Sequence, residues 1–188
     1  MTNNQFINKY IKDFSELLRP DNEIISSLVQ IAEILKNTKK NRNKVLIFGN
    51  GGSAAIASHF SVDITKNLNI QCLNFNEASI ITCFANDYGY ERWVEKVINS
   101  HGNEGDVLIA ISSSGSSKNM INAVKAARSK SFNSVITLSG FKSKNPLSLL
   151  GDINLWVNSE SYNYVENIHQ IWLLTVVDLM INSIKKNK

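Results

Sequence analysis

The stretch "KVLIFGNGGSAAIASHFSVDITKN", Lys44 to Asn67, decides how the rest of the chain is read. It opens on "KVLIFG" (44–49), a short apolar run that ends at a glycine. Such a run, with no polar alternation, is the pattern of a parallel strand buried on both faces. A glycine-rich turn follows, and then a helix is expected from about Ser53 to Lys66. The same unit recurs downstream: "DVLIAIS" (106–112) is a strand, "SSSGSS" (112–117) a turn, and "SKNMINAVKAARSK" (117–130) a helix. "IQCLNF" (70–75), "SVITLSG" (134–140) and "INLWV" (153–157) read as further strands. Two short helical pieces are expected around 77–84 and 88–99, and a long closing helix from about Asn163 to Ser183. Strands alternating with helices imply an α/β fold, a three-layer αβα sandwich around a mostly parallel open sheet of flavodoxin-like type.

Upstream, Phe6, Tyr10, Phe14 and Leu17 recur at helical spacing and predict a first amphipathic helix, interrupted by "RPD" at 19–21. Ile24, Leu28, Ile31 and Leu35 predict a second, capped by Asp21. With 188 residues the chain can bury a full core, and its 43% hydrophobic and 19% charged content is that of a folded globular protein. The formal charge of +4 owes much to "KNTKKNRNK" (36–44) and the tail "KKNK" (185–188), which read as a solvated loop and a frayed end. No base- or backbone-reading motif accompanies them, so a nucleic-acid partner is not expected. No apolar run approaches the roughly 18 residues of a membrane span, and the N-terminus lacks the apolar core of a signal peptide. Cys72 and Cys83, without metal spacing, read as reduced residues of a cytoplasmic protein.

In an open parallel sheet, ligands sit outside the carboxyl ends of the strands, near helix N-termini. Two turns fall at that edge: "GNGGS" (49–53) and "SSSGSS" (112–117), the second with five hydroxyls in six residues. Glycines let the backbone approach a ligand, hydroxyls and amides donate to it, and the helix dipole favours an anion. Neither turn is a Walker loop or a dinucleotide fingerprint. Hydroxyl-rich turns without a lysine suit a phosphate monoester, which Ser53, Ser112, Ser114 and Ser117 would hold, with Asn50, Gly51, Gly52 and Ser113 beside them.

"FGNGGSAAIASHF", "NDYGYE" (86–91), "GDVLIAISSSGSSKNMINAVKAAR" and "VITLSG" together resemble the sugar isomerase (SIS) domain, most closely its phosphoheptose isomerase branch. The likeness runs in register over about 40–180, and the leading helices fit as well. It implies one SIS domain over 1–188, with a helical arm at about 1–40 and an α/β core at about 44–184. It also implies a homotetramer with active sites at subunit interfaces, one zinc ion per site, and a phosphosugar substrate. The implied reaction converts sedoheptulose 7-phosphate to D-glycero-D-manno-heptose 7-phosphate, for the heptose of lipopolysaccharide or a related surface glycan.

Aldose–ketose isomerisation needs a base at carbon, stabilisation of the developing oxyanion, and proton delivery between oxygens. His59 and Asp63, at i and i+4, share one helix face. The family has a histidine and a glutamate there, as base and zinc ligands; Asp63 keeps the carboxylate but shortens the arm by about 1.5 Å, one carbon–carbon bond. The closing helix carries Glu166 at a family glutamine position and Leu174 at a family histidine position. The resemblance therefore implies Asp63 as base, with His59 and Glu166 around the zinc ion. Asn86 and Asp87 would stand near the sugar hydroxyls. Asn67 replaces a family arginine and Asn163 a family aspartate, while His169 matches a family histidine and reads as a packing residue. Trp93, Trp156 and Trp172 are expected in the core or at an interface. A second reading is a non-catalytic, phosphosugar-binding regulator, including the replication-initiator-associating type. Leu174 and Asn67 point that way; His59, Asp63 and Glu166 point to the isomerase.

Overall fold

The computed structural model describes residues 1–186. Two helices, α1 (Asn3–Leu18) and α2 (Asn22–Lys40), precede β1 (Val45–Phe48), α3 (Gly52–Leu68) and β2 (Cys72–Leu73). Then come α4 (Ala78–Tyr88), α5 (Trp93–His101), β3 (Val107–Ser112) and α6 (Lys118–Ser129). The chain ends with β4 (Ser134–Ser139), β5 (Ile153–Trp156) and α7 (Tyr162–Lys186). The strands form one sheet in the order β2-β1-β3-β4-β5, and every pairing is parallel.

The apolar runs behave as fully buried parallel strands must: every residue of β1, β3 and β4 is buried. Successive side chains alternate between two cores. Val45, Ile47, Ile109 and Ile136 face α2, α3 and α7, packing with Leu35, Phe60 and Leu173. Leu46, Phe48, Leu108 and Val135 face α5 and α6, packing with Trp93, Val97 and Met120. The result is the three-layer architecture expected of alternating strands and helices. Because β2 and β3 lie on opposite sides of β1, the strand order reverses between β1 and β3. The turns at 49–53 and 112–117 leave those two strands, so both meet at the topological switch point, where open sheets bind ligands.

Other local features follow from single residues. Asp21 caps α2, accepting from the Ile24 amide at 2.8 Å. The buried Asp106 carboxylate accepts from the Lys44 amide at 3.0 Å, the Lys44 Nζ at 2.5 Å and the Asn103 amide at 2.8 Å, clamping the start of β1 to β3. The strand expected at 70–75 is only Cys72–Leu73. Beyond it Asn74 and Asn76 turn their amides to α3, bonding Ser61 Oγ (2.8 Å), Ser58 Oγ (2.8 Å) and the Ala54 carbonyl (2.9 Å). Phe75 leaves extended backbone with φ +53°, which ends the edge strand. The first short helical piece reaches Tyr88, where Gly89 stops it at φ +84°. Asn86 and Asp87 therefore sit in the last turn of α4 rather than in a loop.

Trp93 and Trp172 are core residues, whereas Trp156 is half-buried and donates to the Phe141 carbonyl at 3.3 Å. Lys185 and Lys186 of the tail continue α7; Asn187 and Lys188 lie outside the described residues. α1 buries no residue completely: Phe14, Leu17 and Leu18 rest on the core, while Phe6, Ile7 and Ile11 stay exposed. No helix among the described residues is long and apolar enough to cross a membrane.

Candidate active site

A cavity of about 220 Å³ lies between the two turns at the switch point. Ser53, Ser112, Ser114 and Ser117, the four expected phosphate donors, line it together with Asn50 and Ser113. The first turn takes its shape from Gly51, whose φ of +56° and ψ of −122° only glycine adopts readily. The second turns at Gly115, φ +66°, whose amide bonds the Ser112 carbonyl at 2.8 Å and which packs directly on Asn145. Asn50 and Asn119 join the turns through reciprocal amide bonds of 3.0 and 2.8 Å, and Tyr90 Oη donates to Asn50 Oδ1 at 3.0 Å.

Three features of this cavity bear on what it could bind. Gly51 gives α3 no side-chain cap, and Ser117 bonds the Ser112 hydroxyl at 2.9 Å instead of capping α6. The positive end of the α6 dipole is thus left to a ligand, whereas the Glu166 carboxylate lies over the first residue of α3. In addition, the buried Ser113 hydroxyl has no hydrogen-bond partner among the described residues. A buried hydroxyl without a partner costs about 1–3 kcal/mol, and Ser113 stands on the wall of the cavity.

The residues expected around the metal ion separate into two places. His59 and Asp63 stay together on the outer face of α3, with Nε2 and Oδ2 3.8 Å apart, His59 about half and Asp63 about one-third exposed. Glu166, from the first turns of α7, instead lines the serine cavity. Its carboxylate lies so close over Gly52 that a Cβ there would overlap it, and desolvation raises its pKa above the usual carboxylate range. Among the described residues no three His, Cys, Asp or Glu side chains converge where they could hold a metal ion. The expected His59–Asp63–Glu166 set is therefore not brought together among the described residues; Glu166 lies over Gly52 at the start of α3 instead. Asn86 and Asp87 are exposed, with Asn86 Nδ2 bonding Asp87 Oδ1 at 3.0 Å, and neither lines the cavity.

The partner His59 does have was not singled out from the sequence. Gln170 of α7 places Nε2 3.3 Å from His59 Nδ1. Glu166, Gln170 and Leu174 are four residues apart and share one face of α7, a spacing that would have drawn attention to Gln170. Leu174 is half-buried and Asn67 exposed. His169, by contrast, is fully buried, with Nε2 3.1 Å from the Ser139 carbonyl, and burial pushes its pKa down to about 4. It is a neutral packing residue that ties α7 to the end of β4.

The SIS domain family model matches residues 9–140, which include both turns and His59 and Asp63 but stop short of α7. The phosphoheptose isomerase of Coxiella burnetii (strain RSA 331 / Henzerling II) is 34% identical over 165 residues, covering 84% of this chain and 82% of the relative. That of Yersinia enterocolitica serotype O:8 is 33% identical over 171 residues, covering 88% and 86%. Among solved structures, a phosphoheptose isomerase from Francisella tularensis superposes with a TM-score of 0.88 at 29% identity, over 97% of this chain and 100% of the other. One from Neisseria gonorrhoeae gives 0.88 at 29% identity, over 95% and 99%. With 95% or more of this chain covered, these structural matches reach well into α7.

Proposed function

The chain belongs to the SIS domain family, among the phosphoheptose isomerases, and on that premise we propose that it converts sedoheptulose 7-phosphate to D-glycero-D-manno-heptose 7-phosphate. The observation that carries the reading is the serine cavity at the β1/β3 switch point, with its unpartnered Ser113 hydroxyl and two uncapped helix N-termini. A phosphate monoester seated there anchors the far end of an open-chain sugar and leaves its carbonyl end free to reach the carboxylates.

In the forward direction a base removes a proton from C1 of the ketose while O2 takes one up, giving an enediol. The base then returns a proton to C2, and O1 gives one up as the aldehyde forms. Asp63 is assigned as that base: it is ionisable, partly open to solvent, and shares its helix face with His59. Glu166 stands on the wall of the phosphate cavity as a second carboxylate, and Ser53, Ser112, Ser113, Ser114 and Ser117 hold the phosphate together with the amides of Asn50, Gly51 and Gly52. Among the described residues the zinc ion implied by the resemblance finds no third His, Cys, Asp or Glu side chain beside His59 and Asp63, which does not fit a closed or catalytic zinc site. No step of the mechanism runs through it.

A homotetramer is part of the proposal. Exposed apolar residues flank the proposed catalytic pair: Val62 beside Asp63, and Ile171 beside Gln170. Phe6, Ile7 and Ile11 add an uncovered apolar stripe on α1. Such surfaces are what a site at a subunit contact requires, and a second copy could bring Asn86 and Asp87 to the sugar. The free thiols of Cys72 and Cys83 agree with work in the cytoplasm, where the product would supply heptose to a surface glycan.

One specific observation favours the second reading, a phosphosugar-binding protein without turnover. Leu174 brings no acid, base or ligand to the face of α7 that carries Glu166 and Gln170. Incubation with sedoheptulose 7-phosphate, followed by proton NMR, separates the two. Appearance of the aldose supports the isomerase; saturable binding with no aldose supports the regulator and overturns the assignment.

A further inference from the structure

The contact between Gln170 and His59 bears on what the histidine can do. The Gln170 amide nitrogen is a donor with no lone pair to offer, so at 3.3 Å the His59 Nδ1 must be the acceptor. A neutral imidazole carries one proton. With Nδ1 accepting, that proton is on Nε2, the nitrogen 3.8 Å from Asp63 Oδ2.

We propose that Gln170 is a positioning residue that holds His59 as its neutral Nε2–H tautomer, so that the ring presents a hydrogen-bond donor beside Asp63 instead of a lone pair to a metal ion. The consequence is chemical. A neutral imidazole N–H can polarise a sugar carbonyl and stabilise the enediolate by donating a hydrogen bond, without giving up its proton. Asp63, one helical turn along α3, would take the carbon-bound proton at the same time. This division of labour matches the donors that one chain assembles, since Glu166 is committed to the phosphate cavity and no three-ligand metal cluster forms among the described residues. It also gives a physical role to the middle member of the Glu166–Gln170–Leu174 row. The kinetic part of the proposal rests on the isomerase reading; the tautomer does not.

The test uses uniformly ¹⁵N-labelled full-length protein and long-range proton–nitrogen correlation of the imidazoles at pH 8. The chain has three histidines, so a His59→Asn sample assigns the signals. Wild type is expected to show His59 with a protonated Nε2 and an unprotonated Nδ1. Gln170→Glu presents only acceptors to the ring, so the pattern should invert to the Nδ1–H form, while Gln170→Leu should show the tautomer mixture of an unrestrained side chain. In the isomerase assay, Gln170→Glu should lower kcat about tenfold or more, in the range of a lost acid–base group, with KM changed less than about twofold because Gln170 does not touch the phosphate site. A wild-type His59 protonated on Nδ1, or a Gln170→Glu protein with the wild-type pattern, overturns the tautomer assignment. An inverted tautomer with unchanged kcat overturns its catalytic use. A wild type that makes no aldose defeats the isomerase reading, and the NMR arm still decides what Gln170 does to His59.

Discussion

Lowering the pH should destabilise this protein through His169, by an amount the structure allows to be worked out. The ring is fully buried, its Nε2 donates to the Ser139 carbonyl at 3.1 Å, and its Nδ1 has no partner among the described residues. Burial therefore disfavours the charged form and depresses the pKa from 6.5 to about 4. Above pH 6.5 both folded and unfolded chains carry the ring neutral, and the folded state keeps its full stability. Below it the unfolded chain binds a proton that the folded chain refuses, so stability falls between pH 6.5 and about 4 and then levels off. The whole window amounts to about 3 kcal/mol, of which about 2 kcal/mol is lost by pH 5. His169→Gln removes the ionisation and keeps an amide that can donate to Ser139. Urea unfolding followed by tryptophan fluorescence, at fixed protein concentration so that any assembly contributes equally, gives the comparison. At pH 7.5 the variant should be less stable than wild type by about 1–2 kcal/mol, as for an altered core contact. At pH 5 the gap should have closed by about 2 kcal/mol. The same gap at both pH values would refute the reasoning, because titration of the other groups cancels in the difference.

Ser113→Ala removes a buried hydroxyl that nothing among the described residues satisfies; the free protein should lose no thermal stability, while calorimetry with inorganic phosphate should show affinity about tenfold weaker, the loss of about one hydrogen bond. Gly52→Ala places a methyl group against the tip of the flexible Glu166 side chain, which can swing aside, and should cost less than about 1 kcal/mol in denaturant unfolding. In a Glu166→Ala background, where that tip is absent, the same substitution should cost nothing measurable. Ile7→Asp with Ile11→Asp places charges on the exposed stripe of α1; light scattering should then report a smaller assembly than wild type, with the helical circular dichroism of the chain preserved.

The layers and the ligand edge were legible because they depend on local pattern. A buried parallel strand has no polar position to alternate, so "VLIF" and "VLIAIS" announce themselves, and the glycine and serine turns after them mark the edge. The truncated β2 was less legible: the apolar pattern of 70–75 continues, but Asn74 and Asn76 find partners on α3 that only the folded packing brings near. The same holds for Glu166. Its place on the helix face could be counted, yet its position over Gly52, more than a hundred residues away in the chain, appears only once α7 packs on α3. Gln170 was within reach of counting, since it falls one turn after Glu166 and one before Leu174. What the spacing alone could not supply was the approach of α7 to α3 that puts its amide on His59.

The central claim is that this chain moves a proton between neighbouring carbons of a phosphosugar, with Asp63 as the base. Running sedoheptulose 7-phosphate with the enzyme in D₂O and following the carbon-bound protons by NMR tests it directly. Asp63 is about one-third exposed, so a proton it takes up can exchange with solvent before it is returned. The account predicts solvent deuterium at C2 of the aldose, at a rate that Asp63→Asn lowers by about 10² or more. Exchange by Asp63→Asn as fast as wild type, or aldose formed with no solvent deuterium at C2, would contradict it.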